Sequence, residues 1–312
     1  MIDICLVGCG GGMPMPYRNL SVVLINVEGR KILIDCGEGT QVSMRMASLG
    51  FKAIDVICIS HIHGDHVNGM TGLLGTIGNS GRTEPLTIIG PEGTKELIQS
   101  YRLVAKYIPY EINVIENPSE VNFNVDKKGI KENIEDSNLI LKTLELEHSA
   151  PCLGYSLYIK RKRKFSVEKA IENNIPKTLW STLQKNKSIV HDGKKYEGSM
   201  VLGEERKGIK ISFVTDSRPL DKIKSFINES NLFICEGTYG DNGDIDKAIK
   251  NKHMTFSEAA TLAKAGNVNR LLLTHFTPAM MEPEIFKENA TDIFKNTIVG
   301  EDRLTMSLKY ES

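Results

Sequence analysis

The chain has 312 residues, of which 40% are apolar and 25% are charged. Lysine plus arginine and aspartate plus glutamate both total 39, so the formal net charge is zero. This composition excludes a disordered or fibrous protein, and no apolar stretch reaches the roughly 18 residues that a membrane-spanning helix needs. The N-terminal apolar stretch is too short and too rich in glycine for a signal peptide. A globular, cytoplasmic protein is therefore expected.

The chain contains six cysteines, which lie in apolar, strand-like segments without a Cys-x-x-Cys pair. This pattern favours reduced, buried thiols over a disulfide framework or a cysteine metal site.

Strand-like and helix-like segments alternate along the chain. The first sixty residues predict strands at ICLVG, SVVLINV, KILIDCG and IDVICIS, with a helix at TQVSMRMASLG. The second half shows the same alternation of strand-like and helix-like segments, and its helix FSEAATLAKAG should end at Gly266. Five apolar runs end in a residue that could bind a metal or a proton: His61, His148, Asp216, Glu236 and His275. Rigid scaffolds carry their chemistry at such strand ends.

Residues 155–207 interrupt this alternation with a lysine-rich segment. Between Lys160 and Arg206 there are twelve basic and six acidic residues, which leaves this segment at +6. We interpret residues 155–207 as an arm inserted into one domain that spans residues 1–312. A basic segment of this kind is either a solvated surface or a binding site for a phosphate backbone.

The run Ser-His-Ile-His-Gly-Asp-His supplies His61, His63, Asp65 and His66 within six residues. Two cations about 3.5–4 Å apart need more ligands than one loop can give, and a bridging carboxylate usually holds both. The distant candidates His148, Asp216 and His275 complete the set. The run therefore predicts a two-ion centre.

The predicted ligands divide into two groups. His61, His63 and His148 hold the first ion, whereas Asp65, His66 and His275 hold the second. Asp216 bridges the two ions. Imidazole and carboxylate ligands favour zinc, although manganese or iron would accept the same set.

Two glycine-containing turns suggest further roles. The glycines from Gly8 to Gly12 follow a strand, but no Gly-Lys-Ser/Thr comes after them, so a phosphate-binding loop of that type is not expected. Asp35 either accepts a hydrogen bond from a ligand histidine or caps the helix that follows it.

With these residues placed, the sequence resembles the metallo-β-lactamase superfamily and, within it, ribonuclease Z. The resemblance covers nearly the whole chain through GCGGGMPMPYRN, ILIDCGEGTQ, SHIHGDHVNGMTGLL, GRTEPLTIIGP, LEHSAPCLGYSL, FVTDSRP, ICEGTYGD, NKHMTFSEAA and LLLTHFTPA. It implies an α/β fold, a four-layer αβ/βα sandwich. It also implies a homodimer in which one subunit's arm grips the tRNA for the other's active site.

The implied activity is the endonucleolytic removal of the 3′ trailer from precursor tRNA, with two zinc ions per subunit. Asp65 would be the base, His253 the proton donor to the departing oxygen, and Glu236 the residue that orients His253. The family places a histidine–glutamate pair at these two motifs.

The chain departs from the family pattern in the arm, where the family has a glycine- and proline-rich segment followed by Leu-Tyr-Gly. The corresponding stretch here is Asn174 to Ser181, and its altered tip is Lys177 to Ser181. It also has Met15 in place of the usual threonine, and it lacks an arginine after His275. Such changes leave two alternatives open: a hydrolase of small phosphodiesters or other esters, and a non-enzymatic RNA-binding protein.

Overall fold

The structure is a computed structural model that describes residues 1–185 and 188–311. The described chain divides into two compact units. The body unit comprises Met1–Ile159 and Ile209–Lys309, and the arm unit comprises Lys160–Gly208 with the C-terminal residues from Tyr310 onward. The predicted domain boundaries stay a prediction.

The strands are β1 (Ile2–Gly8), β2 (Val22–Val27), β3 (Arg30–Ile34), β4 (Ile54–Cys58), β5 (Leu86–Gly90), β6 (Ile112–Glu116), β7 (Glu120–Asp126), β8 (Gly129–Glu132), β9 (Leu139–Leu146), β10 (Cys152–Arg161), β11 (Ser188–His191), β12 (Lys194–Glu197), β13 (Arg206–Val214), β14 (Leu232–Glu236), β15 (Leu271–Thr274), β16 (Thr297–Val299) and β17 (Leu304–Leu308). The α-helices are α1 (Thr40–Met46), α2 (Gly64–Val67), α3 (Met70–Asn79), α4 (Thr94–Tyr101), α5 (Val167–Glu172), α6 (Trp180–Leu183), α7 (Asp221–Ile227), α8 (Ile245–Asn251), α9 (Phe256–Ala265) and α10 (Lys287–Thr291).

The first sheet of the body unit has, among the described residues, seven strands in the order β17-β1-β2-β3-β4-β5-β6. All five residues of β4 are buried, as expected for a strand that is covered on both faces. Helices α1, α3 and α4 cover one face, with Met44, Leu73 and Ile98 in its core. The apolar spacing of each helix thus supplies one buried stripe against the sheet.

The second sheet of the body unit has, within the described ranges, eight strands in the order β16-β15-β14-β13-β10-β9-β7-β8. Helix α9 starts at a capping box between Thr255 and Glu258, ends before Gly266 as predicted, and packs on β14 and β15. The sheets also meet directly, since the hydroxyl of Tyr155 on β10 donates to the carbonyl of Ile59 at 2.6 Å. The predicted α/β sandwich is confirmed.

The arm unit has a small core of its own. Helices α5 and α6 and the hairpin β11–β12 pack around Leu179, Leu183 and Tyr196. The altered stretch at Lys177 to Ser181 forms a 3₁₀ turn and the start of α6, and the indole of Trp180 donates to the carbonyl of Ile175 at 2.9 Å. This stretch is therefore built into the arm unit's core.

All six cysteines are free and buried, as the sequence predicts. Burial raises the pKa of the Cys36 thiol to about 12, and it also raises the pKa of the thiols of Cys58 and Cys152. Across the described ranges, none of the helices combines the length and the apolar character needed to cross a bilayer.

A buried carboxylate joins β4 to the second sheet. Asp55 on β4 accepts hydrogen bonds from Arg30 Nε at 2.6 Å, from Arg82 Nη1 at 3.0 Å and from the amide of Ile130 on β8 at 3.0 Å. Arg82 is fully buried and also donates to the carbonyl oxygens of Lys52 and Glu84. The buried Asp55 carboxylate and the buried Arg82 guanidinium are tolerated because their opposite charges neutralise each other.

We expect Asp55→Ala to lower the free energy of unfolding by about 3–5 kcal/mol, because it leaves the buried Arg82 guanidinium uncompensated. Urea unfolding followed by circular dichroism measures this loss. The control Glu111→Gln removes an exposed carboxylate just before β6 and should change the stability by less than about 0.5 kcal/mol. Equal stability of the two variants would contradict the prediction.

Candidate metal centre

The site residues come together because neighbouring parallel strands end at one edge of a sheet. Strands β13, β14 and β15 are parallel and adjacent, and Asp216, Glu236 and His275 stand at or just after their carboxyl ends. From the other sheet, β4 ends at Cys58 and leads into the histidine run. Residues that are far apart in the sequence therefore meet where these strands end.

The first group of candidate ligands contains three histidines. His63 Nδ1 lies 2.9 Å from His61 Nε2 and 3.2 Å from His148 Nε2. Asp216 Oδ2 lies 3.7 Å from both His61 Nε2 and His148 Nε2. The three histidine nitrogens lie close enough together to hold one cation.

The second group contains two histidines and one aspartate. His66 Nε2 and His275 Nε2 are 3.1 Å apart, and Asp65 Oδ2 lies 3.4 Å and 3.5 Å from them. The remaining oxygen of Asp216, Oδ1, lies 3.4 Å from His66 Nε2 and 3.2 Å from His275 Nε2. One carboxylate therefore faces both groups, with one oxygen toward each.

The chemistry of these atoms fits divalent cations. Burial, together with the neighbouring His66, lowers the pKa of His61 to about 2, so its imidazole is neutral and offers a lone pair. Burial alone would raise the pKa of Asp216, but the neighbouring His275 and His66 lower it, so this carboxylate is ionised. Imidazole nitrogens about 3 Å apart would repel each other unless a cation or a shared proton lies between them.

Asp35 orients His66 from behind. Its Oδ2 lies 2.8 Å from His66 Nδ1, and its two oxygens also accept the amide and the hydroxyl of Ser60 at 2.7 and 2.8 Å. Of the two roles considered for Asp35, the structure favours the acceptor, because the residue that caps α1 is Gly39. A carboxylate behind a ligand histidine fixes its tautomer and raises its basicity.

Gly12 and Ser60 are site residues that sequence reasoning missed. The amide of Gly12 donates to Asp65 Oδ2 at 2.7 Å, and the hydroxyl of Ser60 lies 3.1 Å from His61 Nδ1. Glycine and serine are common residues, so only their position next to a glycine-rich motif or the histidine run could have drawn attention to them.

The backbone is strained at three site residues. Asp35, Asp216 and His275 have φ angles of 62°, 47° and 61°, in the left-handed region, which few non-glycine residues adopt, although aspartate and histidine enter it more often than most. Each such residue costs of order 1–3 kcal/mol, and strain of this kind concentrates at functional sites. The strand ends are therefore bent to aim these side chains inward.

His253 and Glu236 form a pair beside the two ligand groups. His253 Nδ1 lies 3.1 Å from Glu236 Oε2 and 3.3 Å from Oε1, and Glu236 also accepts the amides of Ser217 and Met254 at 2.6 and 3.0 Å. Burial alone would lower the pKa of His253, but the Glu236 carboxylate, helped by Asp216, raises it to about 9. The Glu236 carboxylate therefore favours the protonated form of this imidazole.

An open cleft of about 460 Å³ gives access to these side chains. Its lining includes His63, Asp65, His148, Asp216, His253 and His275. All nine predicted site residues lie in the ligand groups or in the adjacent pair. His191, expected to be an ordinary surface residue, is exposed on β11 of the arm unit.

Comparison with known proteins gives matches over the whole chain. Residues 2–200 match a family model described as "Anti-Pycsar protein Apyc1". A curated protein of Clostridium beijerinckii named ribonuclease Z is 59% identical over 311 residues, covering 99% of both chains. The ribonuclease Z of Clostridioides difficile is 56% identical over 311 residues, covering 100% of both chains.

Solved structures agree with these sequence matches. The crystal structure of the short form of human tRNase Z has a TM-score of 0.69 at 25% identity, covering 98% of this chain and 99% of that one. A metallo-β-lactamase fold protein of Bacillus subtilis has a TM-score of 0.67 at 17% identity, covering 98% of both chains, which shows the fold alone. The chain belongs to the ribonuclease Z family, as its motifs predict.

Proposed function

We propose that the protein is a zinc-dependent endoribonuclease that removes the 3′ trailer from precursor tRNA by phosphodiester hydrolysis, leaving a 3′-hydroxyl on the tRNA. Its family membership confirms the predicted class of enzyme, an endoribonuclease hydrolase. One observation carries the proposal: the Asp216 carboxylate faces two ligand groups, and His253, held by the buried Glu236, lines the same cleft.

The proposed ligand assignment follows the two groups of side chains. One zinc ion is assigned to His61, His63 and His148, and the other to Asp65, His66 and His275, with Asp216 shared by both. Manganese or iron would suit the same donors. When bound, a pair of cations supplies an acidified water and neutralises charge on the phosphate oxygens.

Asp65 is proposed as the base. Its Oδ2 accepts the Gly12 amide and faces His66 and His275, so that oxygen is held in place. We assign to Oδ1 the role of accepting the proton of the attacking water. A carboxylate suits this role because it is ionised at neutral pH: the neighbouring His275 and His66 lower the pKa of Asp65, although burial alone would raise it.

His253 is proposed as the acid that protonates the departing 3′ oxygen. Its Nδ1 faces Glu236, which leaves Nε2 as the nitrogen available to the substrate. Glu236 is fully buried and held by two backbone amides, so it can orient the imidazole ring and stabilise its protonated form. Glu236 thus favours the proton-bearing form of His253 that a general acid needs.

The arm unit is proposed to bind the tRNA, and the proposed assembly is a homodimer in the cytoplasm. The basic residues of the arm support this role for the arm unit, because phosphates are the ligands that an excess of lysine and arginine attracts. The homodimer rests on the family resemblance.

The proposal predicts that the zinc-loaded protein cuts a precursor tRNA once, at or near the discriminator base, and leaves a 3′-hydroxyl. Primer extension and end-group analysis of the two products map the cut. Treatment with a chelator should abolish cleavage, and added zinc should restore it. Turnover of a small chromogenic phosphodiester with the precursor tRNA left intact would instead favour the small-substrate hydrolase.

For His253→Ala we expect a rate at least about 10²-fold lower on precursor tRNA, the scale of a missing general acid. Its metal content, measured by atomic emission, should equal that of the unchanged protein, because His253 is assigned to neither ion. Full activity with full metal content would remove His253 from the reaction.

Binding of precursor tRNA to the slow His253→Ala protein should weaken steeply with salt, because neutralised phosphates release counterions. Replacing the exposed Lys164 and Lys177 of the arm unit by alanine should lower the slope of log K against log salt by about 0.9 for each phosphate that is no longer neutralised. The matched control replaces the exposed Lys264 and Lys295 of the body unit. An arm variant that behaves as the control does would refute the role of the arm unit.

A further inference from the structure

One buried hydroxyl contacts both halves of the proposed active site. Thr238 stands two residues after the end of β14 and is 5% exposed. Its hydroxyl donates to Glu236 Oε2 at 2.6 Å and lies 3.0 Å from Nδ1 of His275. The same oxygen lies 3.3 Å from Nδ1 of His253. It therefore touches a candidate metal ligand and both members of the proton-transfer pair.

The direction of these hydrogen bonds follows from the groups involved. An ionised carboxylate can only accept, so the hydroxyl proton of Thr238 goes to Glu236, and the hydroxyl oxygen must accept from its imidazole neighbours. His275 therefore carries its proton on Nδ1. Its Nε2 is then the lone-pair nitrogen, and that atom is the one that faces Asp216 Oδ1 at 3.2 Å and Asp65 Oδ2 at 3.5 Å.

The Nδ1 atoms of two other candidate ligand histidines have different surroundings. His66 donates directly to a buried carboxylate, Asp35, whereas Nδ1 of His148 is buried without a hydrogen-bond partner among the described residues. On its Nδ1 side, His275 contacts the Thr238 hydroxyl, which in turn donates to the Glu236 carboxylate. A hydroxyl keeps the negative charge of Glu236 one group away from Asp65 and Asp216, where like charges would repel.

We infer that Thr238 is a positioning residue that holds His275 ready for the second ion and links that ligand to the Glu236–His253 pair. This inference rests on the proposed ligand assignment. The inference explains why the buried Thr238 hydroxyl makes all its contacts within the site. One side chain then positions both a ligand of the second ion and the proton donor. Outer contacts of this kind change metal affinity by about 10- to 100-fold when they are removed.

Thr238→Val tests the inference because valine keeps the shape of threonine and removes the hydroxyl, whereas Thr238→Ser keeps the hydroxyl. Cobalt(II) titration with absorption spectroscopy follows the loading of the two ions separately. His148→Ala identifies the step that belongs to the first ion, and His275→Ala identifies the step that belongs to the second.

We expect Thr238→Val to bind the second ion about 10- to 100-fold more weakly, with the first ion unchanged, and Thr238→Ser to restore the second affinity to within about threefold. The control Thr297→Val removes another buried hydroxyl, which donates to the carbonyl of Phe294 outside the site, and should leave both steps unchanged. Thermal unfolding checks that all variants are folded.

Two results would overturn the inference: a second-ion step in Thr238→Val that matches the unchanged protein, or an equal weakening of both steps, which would indicate a general structural role. The titration requires no RNA. Absence of cleavage of precursor tRNA would therefore count against the proposed function, and the metal titration would still decide the role of Thr238.

Discussion

A buried, ionised carboxylate shared by two groups of imidazoles is the constraint on which the site depends. Asp216 is 2% exposed, and each of its oxygens faces a different group. A negative charge at this depth is tolerated only beside positive charge. The ends of β13, β14 and β15 and the loop after β4 must therefore converge on one point, and the order of the strands in both sheets serves that convergence.

The need to bring these side chains to one point also explains why the backbone adopts unfavourable φ angles at the strand ends. Asp216 and His275 follow parallel strands whose side chains alternate between the two faces of the sheet, and both residues adopt positive φ angles. The large apolar cores on each sheet provide the free energy that keeps such residues in place. The stability of the two packed sheets thus compensates for the unfavourable backbone conformations of Asp216 and His275 at the strand ends.

The sequence alone pointed to the side chains that the structure brings together in the candidate site, but it did not point to the groups that contact them from behind. His61 to His66 form a dense run that few other structures could explain, and His148 and His275 could be found because each closes an apolar strand. Thr238, Ser60 and Gly12 could not be found in this way, because a hydroxyl or an amide acquires its role only through the atom that it meets across the fold. Asp35 is an intermediate case. The sequence offered two roles for it, and only its contact with His66, 31 residues away along the chain, distinguishes them.

The burial of the cysteines has a consequence for how the protein acquires its metal. Thiolates are strong zinc ligands, and an accessible thiolate would compete with imidazole and carboxylate for incoming ions. Here burial keeps all six thiols protonated or inaccessible, including Cys152, whose sulfur lies 3.6 Å from the carbonyl of Thr215, the residue before Asp216. The buried thiols therefore do not compete for a cation that enters the cleft, and the cation meets only nitrogen and oxygen donors there.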